Sequence, residues 1–167
     1  NRSGQQIAVL KVNQFGETTN DEWDTAVADV ASKYKEGQIK GMILDLRDNP
    51  GGYLESSVHL ASDFIDVGNI VVKQESTIEG DQEYRVMRKW NLLTIPVITL
   101  INQGSASASE ILGGALRDYG RTTLVGEKSF GKGSVQEALD LQEGAGLHVT
   151  VAKWILPKGD WINGKGI

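Results

Sequence analysis

The sequence contains no cysteine, which excludes disulfide bonds, thiol nucleophiles and thiolate metal sites. It contains only two histidines, His59 and His148, so a Ser-His-Asp triad would have to use one of them. Basic residues are not in excess either. The 17 lysines and arginines are outnumbered by 22 acidic residues, which gives a net charge of −5. This balance argues against a nucleic-acid backbone as partner, because such a partner requires a basic face.

Long apolar runs are also missing, so nothing in the sequence predicts a transmembrane helix. No signal peptide opens the chain. The length of 167 residues and the hydrophobic fraction of 40% are those of one globular domain with its own core. Because the chain starts at Asn1 without a methionine and stops abruptly after Ile167, we expect a domain excised from a longer protein.

Apolar patterning predicts an α/β fold in which a mixed sheet is layered with helices. The first strand and the second are separated by N-cap candidates in residues 18–22 and a helical pattern from Trp23 to Tyr34, which predicts a right-handed crossover and a parallel pair. Further helices are expected to start at Leu54 and near Ile111. Three buried strands are predicted at residues 7–12, 41–46 and 92–101. Further strands are predicted at residues 69–75, 122–125, 134–139 and 146–154, with a hairpin across 76–85.

Three serines occupy the predicted junction between the third buried strand and a helix, in residues 104–110 (GSASASE). A side chain at such a junction is exposed at the rim of a sheet, above a rigid scaffold. The N–H groups that open the helix are also available to bind negative charge. The same position suits an N-cap, for which serine is favoured. The stretch alone therefore supports a nucleophile and a cap equally, and Glu110 is expected to cap the helix or hold the turn.

A second glycine-rich stretch, residues 126–133 (GEKSFGKG), resembles a P-loop but has Gly133 where that motif requires serine or threonine. A strand pattern follows it, so nucleotide binding is disfavoured. Lys132 is then either a solvated surface lysine or a lysine in a partly dry pocket. In the second case its pKa would be lowered and it could act as a general base. On an extended segment Gln136 would share its face and could orient the amine.

Three segments together resemble one known family. Residues 104–111 (GSASASEI), 125–136 (VGEKSFGKGSVQ) and 45–52 (DLRDNPGG) are similar, in order and spacing, to motifs of the carboxy-terminal processing proteases, also called tail-specific proteases or peptidase family S41. The resemblance covers nearly the whole chain, including residues 154–167. It implies a single protease core domain over residues 1–167 with the ClpP/crotonase-like fold of that family.

The resemblance also implies a site. The middle serine of the run, Ser107, would be the nucleophile, Lys132 the general base, and Gln136 the residue that orients the lysine, in a serine–lysine variant of serine catalysis. The backbone N–H of Ala108 would stabilise the oxyanion together with a glycine of the NPGG turn (residues 49–52). Of its two glycines, Gly51 is favoured over Gly52. No cofactor and no metal is implied.

The implied activity is that of a serine endopeptidase that cleaves near the C-terminus of protein substrates, after small or apolar residues. Family members usually carry a PDZ domain before the core, which binds C-terminal peptides by strand addition, and no such segment precedes the core here. Members typically act outside the cytoplasm, so a periplasmic or cell-surface location is expected, with a membrane tether in the full-length protein as one arrangement. The sequence leaves open whether the protein is a homo-oligomer.

Two other classes of protein share features with this pattern. A non-catalytic domain of the same fold that binds retinoids or fatty acids is the main alternative, and the intact Ser107, Lys132 and Gln136 argue against it. A crotonase-like acyl-CoA enzyme is the second, but no acidic catalytic residue stands in a suitable motif. His148 lies on the polar phase of its strand and is expected at the surface. Asp45 and Arg47 are expected to form an ion pair that braces the NPGG turn.

Overall fold

The computed structural model describes residues 6–76, 78, 80–88, 92–140 and 146–167. In this part of the chain it contains three helices and eight strands. The helices are α1 (Thr19–Lys35), α2 (Leu54–Ala61) and α3 (Ala108–Asp118). The strands are β1 (Gln6–Lys11), β2 (Ile39–Asp45), β3 (Ile70–Ser76), β4 (Gln82–Arg85), β5 (Val97–Ile101), β6 (Thr122–Gly126), β7 (Ser134–Asp140) and β8 (Gly146–Ile155).

The described strands form two four-stranded sheets of different character. The first has the order β1-β2-β5-β6, and all its pairs are parallel. The second has the order β4-β3-β8-β7, and all its pairs are antiparallel. The α/β class is therefore confirmed, and the mixture of strand directions comes from two separate sheets. The parallel β1–β2 pair around α1 and the β3–β4 hairpin are confirmed as well.

The helix α3 lies almost wholly inside the core. Ile111, Leu112 and Leu116 are buried on it, and the helix packs against α2, β6 and β3. Gly114 allows an especially close contact, because a Cβ at this position would lie 2.5 Å from Leu156 Cδ1. Such packing makes α3 a rigid support for the residue at its N-terminus.

The third buried strand begins later than the sequence predicts. The prediction of residues 92–101 is wrong at its start, since residues 92–95 form a turn and β5 begins at Val97. Leu92 and Ile95 are nevertheless fully buried. An apolar run reports burial without specifying backbone conformation, and Pro96 has no N–H to donate to a sheet ladder. The helix α2 likewise ends at Ala61, although Phe64 and Ile65 beyond it remain in the core.

The prediction that β1 is buried is also wrong. It lies at the edge of the parallel sheet, and Val9 is 60% exposed. Val9 aligns with Ile43 of β2, which aligns with Ile98 of β5, so one apolar row crosses the outer face of the sheet. Parallel strands typically carry apolar residues on both faces. The sequence of β1 therefore does not reveal that one face of the sheet is open. In the described part of the chain, no helix combines the length and apolar character needed to cross a lipid bilayer.

Candidate active site

Ser107 lies at the sharp turn between β5 and α3, immediately before the first residue of the helix. Its φ of 55° and ψ of −119° are unusual, and within the described chain Asp48 is the only other non-glycine residue with positive φ. Such a backbone costs about 1–3 kcal/mol and persists where the surroundings enforce it. A strained residue at a strand-to-helix turn exposes the reactive serine of other hydrolases.

The three serines of the turn have different surroundings. Ser105 and Ser109 are both fully buried. The Ser105 hydroxyl donates to Leu46 O at 2.8 Å, and the Ser109 hydroxyl donates to Asn49 O at 2.9 Å. Ser107 alone of the three is partly exposed. The two flanking serines therefore hold the turn to the residues that follow β2, and Ser107 is the serine that a substrate can reach.

The NPGG turn lies directly against Ser107. A Cβ on Gly51 would be 2.8 Å from Ser107 Cβ and 3.0 Å from Ala108 N, so no larger residue fits there. The N–H of Gly51 donates to Asn49 Oδ1 at 2.8 Å. Within the described residues, the N–H groups of Gly52 and Ala108 have no acceptor. Of the two glycines, Gly52 therefore has the N–H that remains available to a ligand.

Asn49 connects three segments of the site. The sequence indicates it only as part of a turn signal. It is fully buried, and its side-chain amide donates to Val12 O at 2.8 Å. Its backbone carbonyl accepts from Ala106 N at 2.9 Å. Through Asn49 the end of β1, the NPGG turn and the serine turn are held in one arrangement. The Asn-Pro pair was the only signal in the sequence.

Glu110 joins the serine turn (residues 104–110) to the lysine loop (residues 126–133). Its carboxylate is fully buried and accepts four hydrogen bonds. Oε2 accepts from the backbone N–H of Ser107 at 2.9 Å and from that of Lys132 at 2.8 Å. Oε1 accepts from the Ser129 hydroxyl at 2.6 Å and from Gly131 N at 2.7 Å. The expectation that Glu110 holds the turn is confirmed, and its link to the lysine loop is an addition that the structure makes.

Lys132 lies two residues before the start of β7, and Gln136 lies on β7. Both side chains are exposed, and neither forms a hydrogen bond with any described residue. The loop itself is held firmly, because Gly131 O accepts from Gly164 N at 2.9 Å and Gly133 O accepts from the Trp161 indole at 2.8 Å. The structure thus brings the backbone of the base candidate beside that of Ser107, and the orienting role of Gln136 stays a prediction.

The ion pair expected between Asp45 and Arg47 is confirmed. Arg47 Nε donates to Asp45 Oδ1 at 2.9 Å, and Arg47 Nη2 donates to Asp45 Oδ2 at 2.7 Å. These bonds hold the pKa of Asp45 below its usual value. Because this pKa is lower in the folded protein, the ionised Asp45 carboxylate stabilises the fold at neutral pH. That stabilisation is lost on acidification, as the pH falls through the pKa of Asp45 in the folded state.

The histidines lie apart from this arrangement. His148 is exposed on β8, as expected, and His59 on α2 is bound to Asp24 of α1 at 2.8 Å. Across the described ranges, no three histidine or acidic residues are grouped so as to hold a metal ion. The chemical resources of the site are therefore a partly exposed serine, a nearby lysine and two available backbone N–H groups.

Comparison with known proteins places this arrangement in a family. The model of peptidase family S41 matches residues 6–167. The chain belongs to peptidase family S41. It is 43% identical to a carboxy-terminal-processing protease of Bartonella bacilliformis, over 96% of the chain and 37% of that protein. It is 38% identical to the carboxy-terminal processing protease CtpA of Bacillus subtilis, over 96% of the chain and 34% of that protein.

A solved structure supports the same assignment to family S41. The photosystem II D1 C-terminal processing protease superposes with a TM-score of 0.84 at 33% identity, over 97% of this chain and 41% of that one. The resemblance drawn from the three motifs is thereby confirmed, as is the fold class. The S41 chain spans about a third of the length of the two curated relatives above.

Replacing Glu110 by glutamine should destabilise this S41 domain. The amide nitrogen would face N–H and O–H donors that now meet a carboxylate oxygen, and each donor left unpaired costs about 1–3 kcal/mol. We expect a lower free energy of unfolding in urea and faster hydrogen exchange at the amide of Lys132. Glu127→Gln is the matched control, because Glu127 is exposed and its side chain forms no bond with described residues. Equal stability of the two variants would contradict the role of Glu110.

Proposed function

We propose that this chain is the catalytic part of a serine endopeptidase that cleaves protein substrates near their C-terminus. Ser107 is the nucleophile and Lys132 the general base. The observation that carries the proposal is the Glu110 carboxylate, since one of its oxygens accepts hydrogen bonds from the backbone of both residues. Two motifs that are distant in sequence therefore meet in one site, with a strained serine on one side and a lysine on the other.

The reaction is acyl transfer in two stages. Neutral Lys132 takes the proton from Ser107 Oγ as this oxygen attacks the carbonyl carbon of the scissile bond. The lysine ammonium then protonates the leaving amine, and an acyl-enzyme on Ser107 remains. Water, activated by the same lysine, attacks the ester and releases the shortened substrate. Gln136 would accept a hydrogen bond from the lysine amine and orient its lone pair.

The oxyanion of the tetrahedral intermediate requires donors that are already in place. The N–H groups of Ala108 and Gly52 suit this role because neither has an acceptor among the described residues. The Gly51 N–H is engaged by Asn49, which favours Gly52 over the glycine that the sequence favoured. Gly51 itself contacts Ser107 and Ala108, and Gly52 is the next residue along the chain.

Lys132 must be neutral to accept a proton, and its side chain is exposed in this chain. A peptide that covers the lysine would remove water from the ammonium group and so favour the neutral amine that the reaction requires. Substrate binding and activation of the base are then the same event. A non-catalytic binding domain would need neither the strained serine nor the Glu110 hydrogen bonds that join it to the lysine loop.

The setting of the activity follows the family resemblance. We propose that the protein acts outside the cytoplasm and that a PDZ domain presents C-terminal peptides to the core. The absence of cysteine is compatible with an oxidising compartment, because no free thiol is at risk there.

Intact-mass measurement of digestion products tests the proposed function. A protein substrate with an apolar C-terminal tail should be shortened at sites confined to that tail, and the same substrate without the tail should stay uncut. Cuts spread evenly along the substrate would contradict tail-directed cleavage. The absence of any product would contradict the peptidase assignment itself.

A further inference from the structure

Two large aromatic side chains are exposed on segments whose backbones contact the serine turn. Phe130 is 67% exposed, and Tyr53 is 52% exposed. Exposure of a phenyl ring forgoes the favourable free energy that its burial would supply. Burial in the core therefore does not account for Phe130, whose position on a segment bound to the serine turn is what offers its ring as an apolar contact surface for a ligand.

The backbone that carries Phe130 is fixed on both sides. Its own N–H donates to Ser105 O at 3.0 Å, which ties it to the serine turn. Ser129 before it is buried, and Gly131 after it donates to the Glu110 carboxylate at 2.7 Å. An exposed ring on an immobilised backbone is preorganised for binding, because the ordering of the loop has already been completed during folding.

Tyr53 belongs to the other segment that contacts the serine turn. It follows Gly51 and Gly52, and the Gly51 backbone is in contact with Ser107. The N–H of Tyr53 donates to Phe15 O at 2.9 Å, so this backbone is fixed as well. A tyrosine ring offers a large apolar surface with little loss of conformational entropy on binding. One aromatic residue thus belongs to the lysine loop and one to the glycine turn.

We propose that Phe130 and Tyr53 bind apolar side chains of the substrate next to the scissile bond and thereby set the specificity of cleavage. The inference rests on the proposed function and deepens it. The occupant is an extended peptide with apolar residues adjacent to the bond that Ser107 attacks. Neither ring takes part in proton transfer, so their contribution lies in substrate binding rather than in the chemical step.

Paired peptides test the proposal in the otherwise unchanged protein. One peptide carries apolar residues beside the scissile bond, and its partner carries serine and asparagine there. Phe130→Ala and Tyr53→Ala should each lower kcat/KM about tenfold for the apolar peptide, mainly through KM, and about twofold or less for the polar one. Phe130→Leu should restore most of the loss, because leucine keeps an apolar surface.

Ile78→Ala is the matched control. Ile78 is 72% exposed and lies between β3 and β4, at the edge of the antiparallel sheet opposite to β7. This variant should cleave both peptides as the unsubstituted protein does. The thermal midpoints of all the variants should be unchanged, because the substituted side chains are exposed.

Three results would overturn the proposal. Equal losses for both peptides would show that the rings do not select apolar residues, and unchanged kinetics would show that they do not touch the substrate. A lowered thermal midpoint in Phe130→Ala or Tyr53→Ala would show that the ring serves stability instead. Loss of cleavage in Ser107→Ala establishes the proposed function beforehand, so failure at that stage concerns the function, whereas failure here concerns only the two aromatic residues.

Discussion

Replacing Ser107 by alanine is expected to lower the rate of peptide cleavage by about 10³- to 10⁶-fold, because it removes the hydroxyl of the proposed nucleophile. The protein should stay folded, since the Ser107 side chain is partly exposed and the backbone bond to Glu110 does not depend on it. Initial rates with a fluorogenic peptide give the activity. Thermal unfolding of the same sample gives the stability.

Ser105→Ala and Ser109→Ala are the controls for this variant, since they are the same substitution in the same turn. Each removes a buried hydroxyl that donates to a backbone carbonyl, to Leu46 O and Asn49 O respectively. We expect each variant to lose about 1–3 kcal/mol of stability and to retain measurable cleavage. If all three variants lost activity equally while their stability was unchanged, the assignment of Ser107 would be wrong.

Replacing Lys132 by alanine should lower kcat by about 10²- to 10⁴-fold, the usual contribution of a positioned general base. Folding should be unaffected, because the Lys132 side chain is exposed and its backbone N–H still donates to Glu110. Lys132→Arg is the sharper variant. It keeps the positive charge, but the guanidinium stays protonated at every accessible pH and cannot accept a proton. It should therefore be as inactive as Lys132→Ala.

The pH dependence of kcat provides the second measurement on the lysine. Activity of the unsubstituted protein should rise with pH as the proposed base loses its proton, and Lys132→Arg should abolish this rise. Substantial activity of Lys132→Arg would remove the lysine from the mechanism. A midpoint near about 6.5 would point instead to a histidine, His59 or His148.

Local patterns carried much of the prediction from sequence. The helical spacing of Trp23, Val27 and Val30 specified α1, and the short sequence separation of Asp45 and Arg47 made their ion pair predictable. Contacts that depend on packing between distant segments were not predictable. Glu110 could be assigned to its own turn from spacing, but its bonds to the lysine loop require the second sheet to be in place.

The predictions that are wrong concern how a segment is packed in the fold. The apolar residues of β1 gave no sign that one face of the parallel sheet is open, because strands covered on both sides have the same composition. The choice between Gly51 and Gly52 as oxyanion donor stays a prediction, and the structure adds that the Gly51 N–H already donates to Asn49 Oδ1. Nothing in a pair of adjacent glycines indicates which N–H is already engaged.

The bonds of Glu110 also bear on when the site becomes complete during synthesis. The turn with Ser107 follows β5 of the parallel sheet. Lys132 precedes β7 of the antiparallel sheet, and its neighbour Gly131 accepts a hydrogen bond from Gly164 N. Because chains emerge from their N-terminus, a partly synthesised molecule has the strained serine before it has Lys132. The proposed pair of Ser107 and Lys132 is therefore complete only after β7 and β8 have joined the fold.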